Sequence, residues 1–215
     1  MHIPDGFITP KIYLPAYAIC AGLWSTGARY LRSRLRSDIL PHLSVMTALA
    51  FVLMMIAVPL PGGTSAHASG IAVLAVLFGF WTAFLATSLV LLLQALLFGS
   101  GGITTLPVNA IAMGLLGGMT AWSLYKALSR FNNTIALFAA GWTSVVVPAV
   151  FTAVILGLQP VIAHSSDGTP LFFPFGLSIT LPAIILPHCL IGIGEGFLTV
   201  LICRFYEKLK PPAAP

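Results

Sequence analysis

Met1 and His2 can do more coordination chemistry than any other neighbouring pair in the chain. A free terminal amine, the amide nitrogen of residue two and the imidazole of residue two close two adjacent chelate rings on one small cation, so two residues offer three nitrogens. With a fourth nitrogen, such a set suits a tetragonal or square-planar divalent ion, Ni(II) or Cu(II) before Zn(II) or Mg(II). The pair is expected to persist, because an initiator methionine is usually trimmed only before a small residue. The stretch from Met1 to Phe7 also lacks the positive start, apolar run and small-residue cut site of a cleavable signal.

The fourth donor must come from elsewhere, and the other histidines differ in promise. His42, near the cytoplasmic end of a span, and His164, in a polar loop, read as interfacial or solvated side chains. His67 falls in a stretch of small and hydroxyl residues on the same side of the topology as Met1, and is the candidate fourth donor. The competing reading gives His67 only a backbone carbonyl to bond. His188 and Glu195 are seven residues apart on one apolar run, so they share a helix face, with Gly192 and Gly196 beside them. Ionisable groups inside a span are functional hypotheses by default, although His188 follows Pro187 and could instead satisfy a carbonyl that the proline frees. Both are placed as supporting or packing groups. Gln94 and Asn109, also within spans, could hold the far nitrogen of a metal-bound ring, and Asp5 could offset the charge of a bound cation.

The elements that must position these residues are membrane helices. Of 215 residues 58% are hydrophobic and 7% charged, with a mean hydropathy of +1.01, whereas a soluble domain carries about a quarter charged residues. Several runs of about twenty apolar residues, each able to cross the hydrocarbon as a helix, predict an all-α integral membrane protein. The formal charge of +5 sits in clusters at helix ends, so it speaks to orientation and not to nucleic acid. Cys20, Cys189 and Cys203 are odd in number and lie in apolar runs, which predicts neither disulfides nor a thiolate site.

Spans are predicted over 12–30, 39–60, 106–125, 135–161 and 177–203, with the 28 residues from Ile71 to Phe98 long for one crossing and short for two. Charge decides between them. Two crossings, turning near Gly79, Phe80 and Trp81, put Lys126, Arg130, Arg204, Lys208 and Lys210 on the cytoplasmic side with Arg29, Arg32, Arg34 and Arg36. The reading is therefore seven transmembrane helices in one domain, 1–215. Residues 1–11 form an N-terminal metal-binding segment outside, 12–208 the helical bundle, and 209–215 a disordered cytoplasmic tail. Gly114 and Gly118, and Ala18 and Gly22, are small-residue faces for close helix contact.

The segment from Met1 to Phe7, the stretches 62–67, 93–99 and 101–109, and the run from His188 to Gly196 together resemble the NikM/CbiM family. These are the substrate-binding components of energy-coupling-factor nickel and cobalt importers. The resemblance covers nearly the whole chain, with Pro4-Asp5 standing where many cobalt-type members carry other residues. It implies a seven-helix protein whose N-terminal segment enters the bundle, and four nitrogens around Ni(II) or Co(II): the Met1 amine, the His2 amide, the His2 imidazole and the His67 imidazole. The ion is then a transported substrate and not a catalytic cofactor. The resemblance also implies a multi-pass protein of the prokaryotic inner membrane. Its partners would be a transmembrane coupling subunit, two cytoplasmic ATPases and in some systems a small accessory membrane protein. The residues agree in one respect, since no Gly-x-x-x-x-Gly-Lys-Ser/Thr loop is present to hold ATP.

Two other functions compete. An intramembrane hydrolase would pair Ser65 or Ser100 with His67 or His188, but no His-Glu-x-x-His motif and no Gly-x-Ser-Gly context accompanies them. A facilitative metal channel would carry the ion without ATPases. A non-enzymatic binding subunit is the expectation.

Overall fold

The computed structural model describes residues 2–34, 38–60 and 64–209. Met1, Arg36, the corner at Pro61, Gly62 and Gly63, Lys210 and residues 211–215 lie outside the described residues.

Prolines set several of the boundaries. Helix α1 (Pro10–Arg34) starts at a proline, where the missing N–H would be unpaired anyway, and the Thr9 carbonyl accepts the Ile12 N–H at 2.9 Å. Helix α2 (Leu40–Met55) has proline in its first turn and stops four residues before Pro59, which has no N–H for the Met55 carbonyl. The expected span to Leu60 is thus cut short. In its place Val58–Leu60 (β1) pairs antiparallel with Thr64–Ala66 (β2), Val58 opposite Ala66, a small exception to an all-α fold.

The long apolar run divides where the charge argument places its turn. Helix α3 (Ile71–Phe78) and helix α4 (Phe80–Phe98) flank Gly79, whose φ of 86° is a conformation that residues with a Cβ rarely adopt. The two helices pack on each other across that turn. At about 1.5 Å per residue α3 rises only about 12 Å, so it is a half-length helix led in by the stretch that carries His67.

A continuous helical rod follows: α5 (Leu106–Asn109), a π-helical stretch (Ala110–Gly117) and α6 (Gly118–Leu128). Helix α7 (Asn133–Gly157) is capped by Asn132, whose side chain accepts the Ile135 N–H at 3.0 Å. Short α8 (Gln159–Ile162) precedes the long α9 (Leu177–Leu209). Phe80–Phe98, Asn133–Ile162 and Leu177–Lys208 are long and apolar enough to cross a membrane, and Leu40–Met55 is a shorter apolar helix.

Small residues let the helices approach. A Cβ on Gly141 would stand 2.7 Å from the Glu195 carbonyl, and one on Gly196 would stand 2.7 Å from Phe138, which brings α7 and α9 together along the most extensive interface. Gly114 meets Phe84 and Gly118 meets Ala83, so that small-residue face joins the rod to α4. Ala18 is exposed, and among the described residues no other element lies within 4 Å of a Cβ built on Gly22. The main core includes three residues from outside every helix, Phe173 and, from the N-terminal segment, Ile3 and Ile8, fully buried among Phe84, Met113, Val145 and Leu156. The extended N-terminal segment is thereby part of the core.

Candidate metal centre

The N-terminal segment has no internal ladder, so its buried backbone groups must find partners on the bundle. Asn109, at the foot of the π stretch, supplies two of them. The Ile3 N–H donates to its Oδ1 at 3.0 Å, and its Nδ2 donates to the Ile3 carbonyl at 3.1 Å. Thr105 adds a second bond to that carbonyl at 2.6 Å. Farther along, the Thr9 N–H donates to Gln159 Oε1 at 3.0 Å. Gln159 and Thr105 escaped the sequence reading. Gln159 carries the signal that marked Gln94, a carboxamide beside a long apolar run.

Asp5 fastens the segment to the loop after α4. Its carboxylate accepts the Ile103 N–H at 3.1 Å, the Thr104 N–H at 2.8 Å and the Thr104 hydroxyl. Gly102 permits the approach, since a Cβ there would lie 2.2 Å from Asp5 Oδ1 and 2.5 Å from its amide nitrogen. Partial burial pushes the carboxyl up, but the hydrogen bonds from Thr104 and from the Ile103, Thr104 and Thr105 amides outweigh it and hold the group below the usual carboxylate range. Asp5 therefore secures the segment to a loop.

These anchors carry His2 into the interior, where it meets His67. The two rings stack with centroids 4.7 Å apart and planes 22° from parallel, both nearly inaccessible to solvent. Burial, the largest cause, pushes the His2 imidazole down to about 3, and burial likewise lowers His67 well below its ordinary value, so both rings stay neutral and keep a lone pair. Their hydrogen bonds indicate which nitrogen carries it. His67 Nδ1 lies 3.0 Å from the Ala68 carbonyl, to which it must donate, leaving the buried Nε2 as the unprotonated and unpartnered atom. His2 Nδ1 faces the Ser100 hydroxyl at 3.4 Å, while its Nε2 and Gln94 Oε1 are buried without a hydrogen-bond partner. The Gln94 carboxamide interacts with the His2 ring and donates its Nε2 proton to the Phe51 carbonyl at 3.1 Å. In the Nε2–H tautomer the lone pair lies on Nδ1, the nitrogen that the Ser100 hydroxyl faces. That is the nitrogen from which a histidine side chain closes a chelate ring with its own amide.

His67 thus bonds a backbone carbonyl, as the competing reading holds, and still keeps a free nitrogen. Glu195, on α9, does not touch the rings. Its carboxylate accepts from the Ser69 N–H at 2.8 Å, the Ser69 hydroxyl at 2.9 Å and the Gly70 N–H at 2.7 Å, on the stretch that leads from His67 into α3. His188 is fully buried. Its Nδ1 bonds the Ile184 carbonyl at 2.7 Å, one residue beyond the Ala183 carbonyl that Pro187 frees, and its Nε2 has no partner. His42 and His164 are exposed. Ser100 meets His2, not the His67 or His188 that a hydrolytic pair would use. Among the described residues no three His, Cys, Asp or Glu side chains form a cluster able to hold an ion, and all three cysteines are free. Side chains here offer two converging imidazoles, and a four-nitrogen set has to draw the rest from backbone and terminal nitrogens.

The cobalt-uptake substrate-specific transmembrane family, CbiM, matches residues 2–213. The chain is 36% identical, over 98% of its length, to a probable fused nickel transport protein LarMN of Lactiplantibacillus plantarum, and covers 66% of that relative. It is also 36% identical over its full length to the fused nickel transport protein NikMN of Rhodobacter capsulatus, again covering 66%. The chain therefore spans about two thirds of these curated relatives. A crystal structure of a truncated transition metal transporter superposes with a TM-score of 0.93 at 34% identity, over 97% of this chain and 99% of the other.

Proposed function

Because the chain belongs to the CbiM family of cobalt-uptake substrate-specific transmembrane proteins, we propose that it is the substrate-binding membrane component of an energy-coupling-factor importer, taking up Ni(II), or Co(II), through a four-nitrogen site. The donors are the Met1 amine, the His2 amide nitrogen, His2 Nδ1 and His67 Nε2. One observation carries this reading: two buried imidazoles, 65 positions apart in sequence, stack with centroids 4.7 Å apart, and each has a ring nitrogen without a partner. Four nitrogens in a plane favour Ni(II), and the nickel transport relatives point the same way. Gln94 fixes the tautomer of His2, Asn109 and Asp5 hold its segment in place, and His188 lines the interior beside His67. The family is one of metal transport proteins and not of enzymes.

In this proposal the whole chain is one transmembrane unit of seven helices in a prokaryotic inner membrane, its N-terminus outside and its C-terminus cytoplasmic. Energy comes from partners: a transmembrane coupling subunit and two cytoplasmic ATPases, with or without a small accessory membrane protein. The packing bears on where they dock. Gly114 and Gly118 are used within the bundle, whereas Ala18 of α1 is exposed and Gly22 has no neighbour from another element among the described residues, so α1 is the proposed docking surface.

The test is calorimetry of Ni(II) binding to detergent-purified protein carrying one glycine before Met1. An inserted residue removes the terminal amine from its chelate ring, so binding should fall by several orders of magnitude with the fold intact. Unchanged affinity would defeat the assignment.

A further inference from the structure

Glu195 is one of five carboxylates in the chain, and its whole environment comes from one short stretch. Both oxygens are occupied: Oε2 accepts the Ser69 N–H at 2.8 Å, and Oε1 accepts the Ser69 hydroxyl at 2.9 Å and the Gly70 N–H at 2.7 Å. Glu195 is 1% exposed and Ser69 is inaccessible. The carboxylate sits on a fixed base, because Gly141 of α7 brings its helix against the Glu195 carbonyl at a distance that excludes even a methyl group. The stretch that it grips needs holding. Gly70 adopts a φ of 67° and has no side-chain cap of its own, and Ser69 spends its hydroxyl on Glu195 and on the Ile71 N–H. Two residues before Ser69 stands His67.

We propose that Glu195 is the positioning residue for His67: by clamping Ser69 and Gly70 to α9 it fixes the backbone from which the metal-donor ring projects. This rests on the reading of His67 as a metal donor. A carboxylate is needed for it, since three donors converge and a carboxamide would turn an N–H₂ group toward one of them. The clamp also makes α9, which continues to Leu209, the helix whose displacement would withdraw one donor from the ion.

The experiment titrates the full-length, detergent-purified chain with NiCl₂ and records affinity together with the visible ligand-field absorption of the bound ion. Four proteins are compared: wild type, Glu195→Gln, His67→Ala and the double variant. Loss of a nitrogen donor weakens the ligand field, so the absorption of His67→Ala moves to longer wavelength. Glu195→Gln should lose about 10- to 100-fold in affinity, the usual effect of removing a group that orients a ligand, with its absorption displaced toward that of His67→Ala. The double variant should bind no more weakly than His67→Ala alone, because the carboxylate acts only through that ring. Weaker binding with an unshifted spectrum, or losses that add in the double variant, would overturn the proposal and leave Glu195 a packing residue. Wild-type binding by His67→Ala would overturn the four-nitrogen reading itself, whatever Glu195 does. Should Glu195→Gln fail to fold, Ser69→Ala decides: it removes one of the three bonds to the carboxylate, along with the acceptor of the Ile71 N–H, and leaves the carboxylate in place. A smaller shift of the same sign supports the clamp, and no shift refutes it.

Discussion

Gly102→Ala should disable metal binding without disturbing a helix. Gly102 lies in the loop between α4 and α5, and its substitution adds one methyl group. That methyl would fall 2.2 Å from Asp5 Oδ1, 2.4 Å from its Cγ and 2.5 Å from its amide nitrogen. The first two contacts could be relieved by rotating the side chain, but the third involves the main chain, so the N-terminal segment itself must lift. Lifting it costs the Asp5 bonds to Ile103 and Thr104. Three such bonds at about 0.5–1.5 kcal/mol each, with the lower part of that range applying to a largely exposed carboxylate, give about 1.5–3 kcal/mol. At tenfold per 1.4 kcal/mol this corresponds to a loss of roughly 10- to 150-fold in apparent Ni(II) affinity, because the segment carrying His2 must return to its place before it can bind. Asp5→Ala, which removes the same bonds without a clash, should lose no more affinity than Gly102→Ala. Isothermal calorimetry on the two variants, with gel filtration as the control for folding, measures the difference. Wild-type affinity in folded Gly102→Ala would show that the docked segment is not what binds the ion.

Further outcomes follow from the same geometry. His67→Ala should bind Ni(II) more than about 100-fold more weakly, beyond the range for a supporting residue, as measured by equilibrium dialysis. Asp5 contributes to the docked state through a carboxyl held below its ordinary value of 3.8; its stabilisation is therefore present above that pH and lost as the pH falls below it. Thermal unfolding of wild type and Asp5→Asn should accordingly differ at pH 5 and converge as the pH drops beneath 3.8. Gln94→Leu leaves His2 free to protonate on Nδ1 and should reduce affinity by about 10- to 100-fold, read by competition with a chromogenic chelator. In proteoliposomes the chain alone should bind Ni(II) but accumulate none, ATP-dependent uptake appearing only with the coupling subunit and ATPases; uptake by the chain alone would indicate a channel.

Much of this arrangement is legible in the residues, for reasons that can be stated. A turn near Gly79, Phe80 and Trp81 is expected because 28 apolar residues are too many for one regular crossing, and the break between α3 and α4 falls at Gly79. His67 stands out as an imidazole among small residues. What escapes has a physical cause as well. Strands of three residues, Val58–Leu60 and Thr64–Ala66, are too short to show a period of two, and only Pro59 hints that α2 must end early. The π stretch from Ala110 to Gly117 has the composition of any apolar helix. The partners of Glu195 are mostly backbone N–H groups, which every residue but proline possesses, so nothing in the letters links position 195 to positions 69 and 70. A sequence reveals that Asp5 is a carboxylate and not that its oxygens face the amides of Ile103 and Thr104.

Anomalous diffraction from crystals soaked in Ni(II), recorded at the nickel edge, tests the four-nitrogen site most directly. The account predicts a single strong peak between the rings of His2 and His67, in plane with the Met1 amine, the His2 amide nitrogen, His2 Nδ1 and His67 Nε2. A peak at any other set of donors, or a terminal amine turned away from the ion, would contradict it.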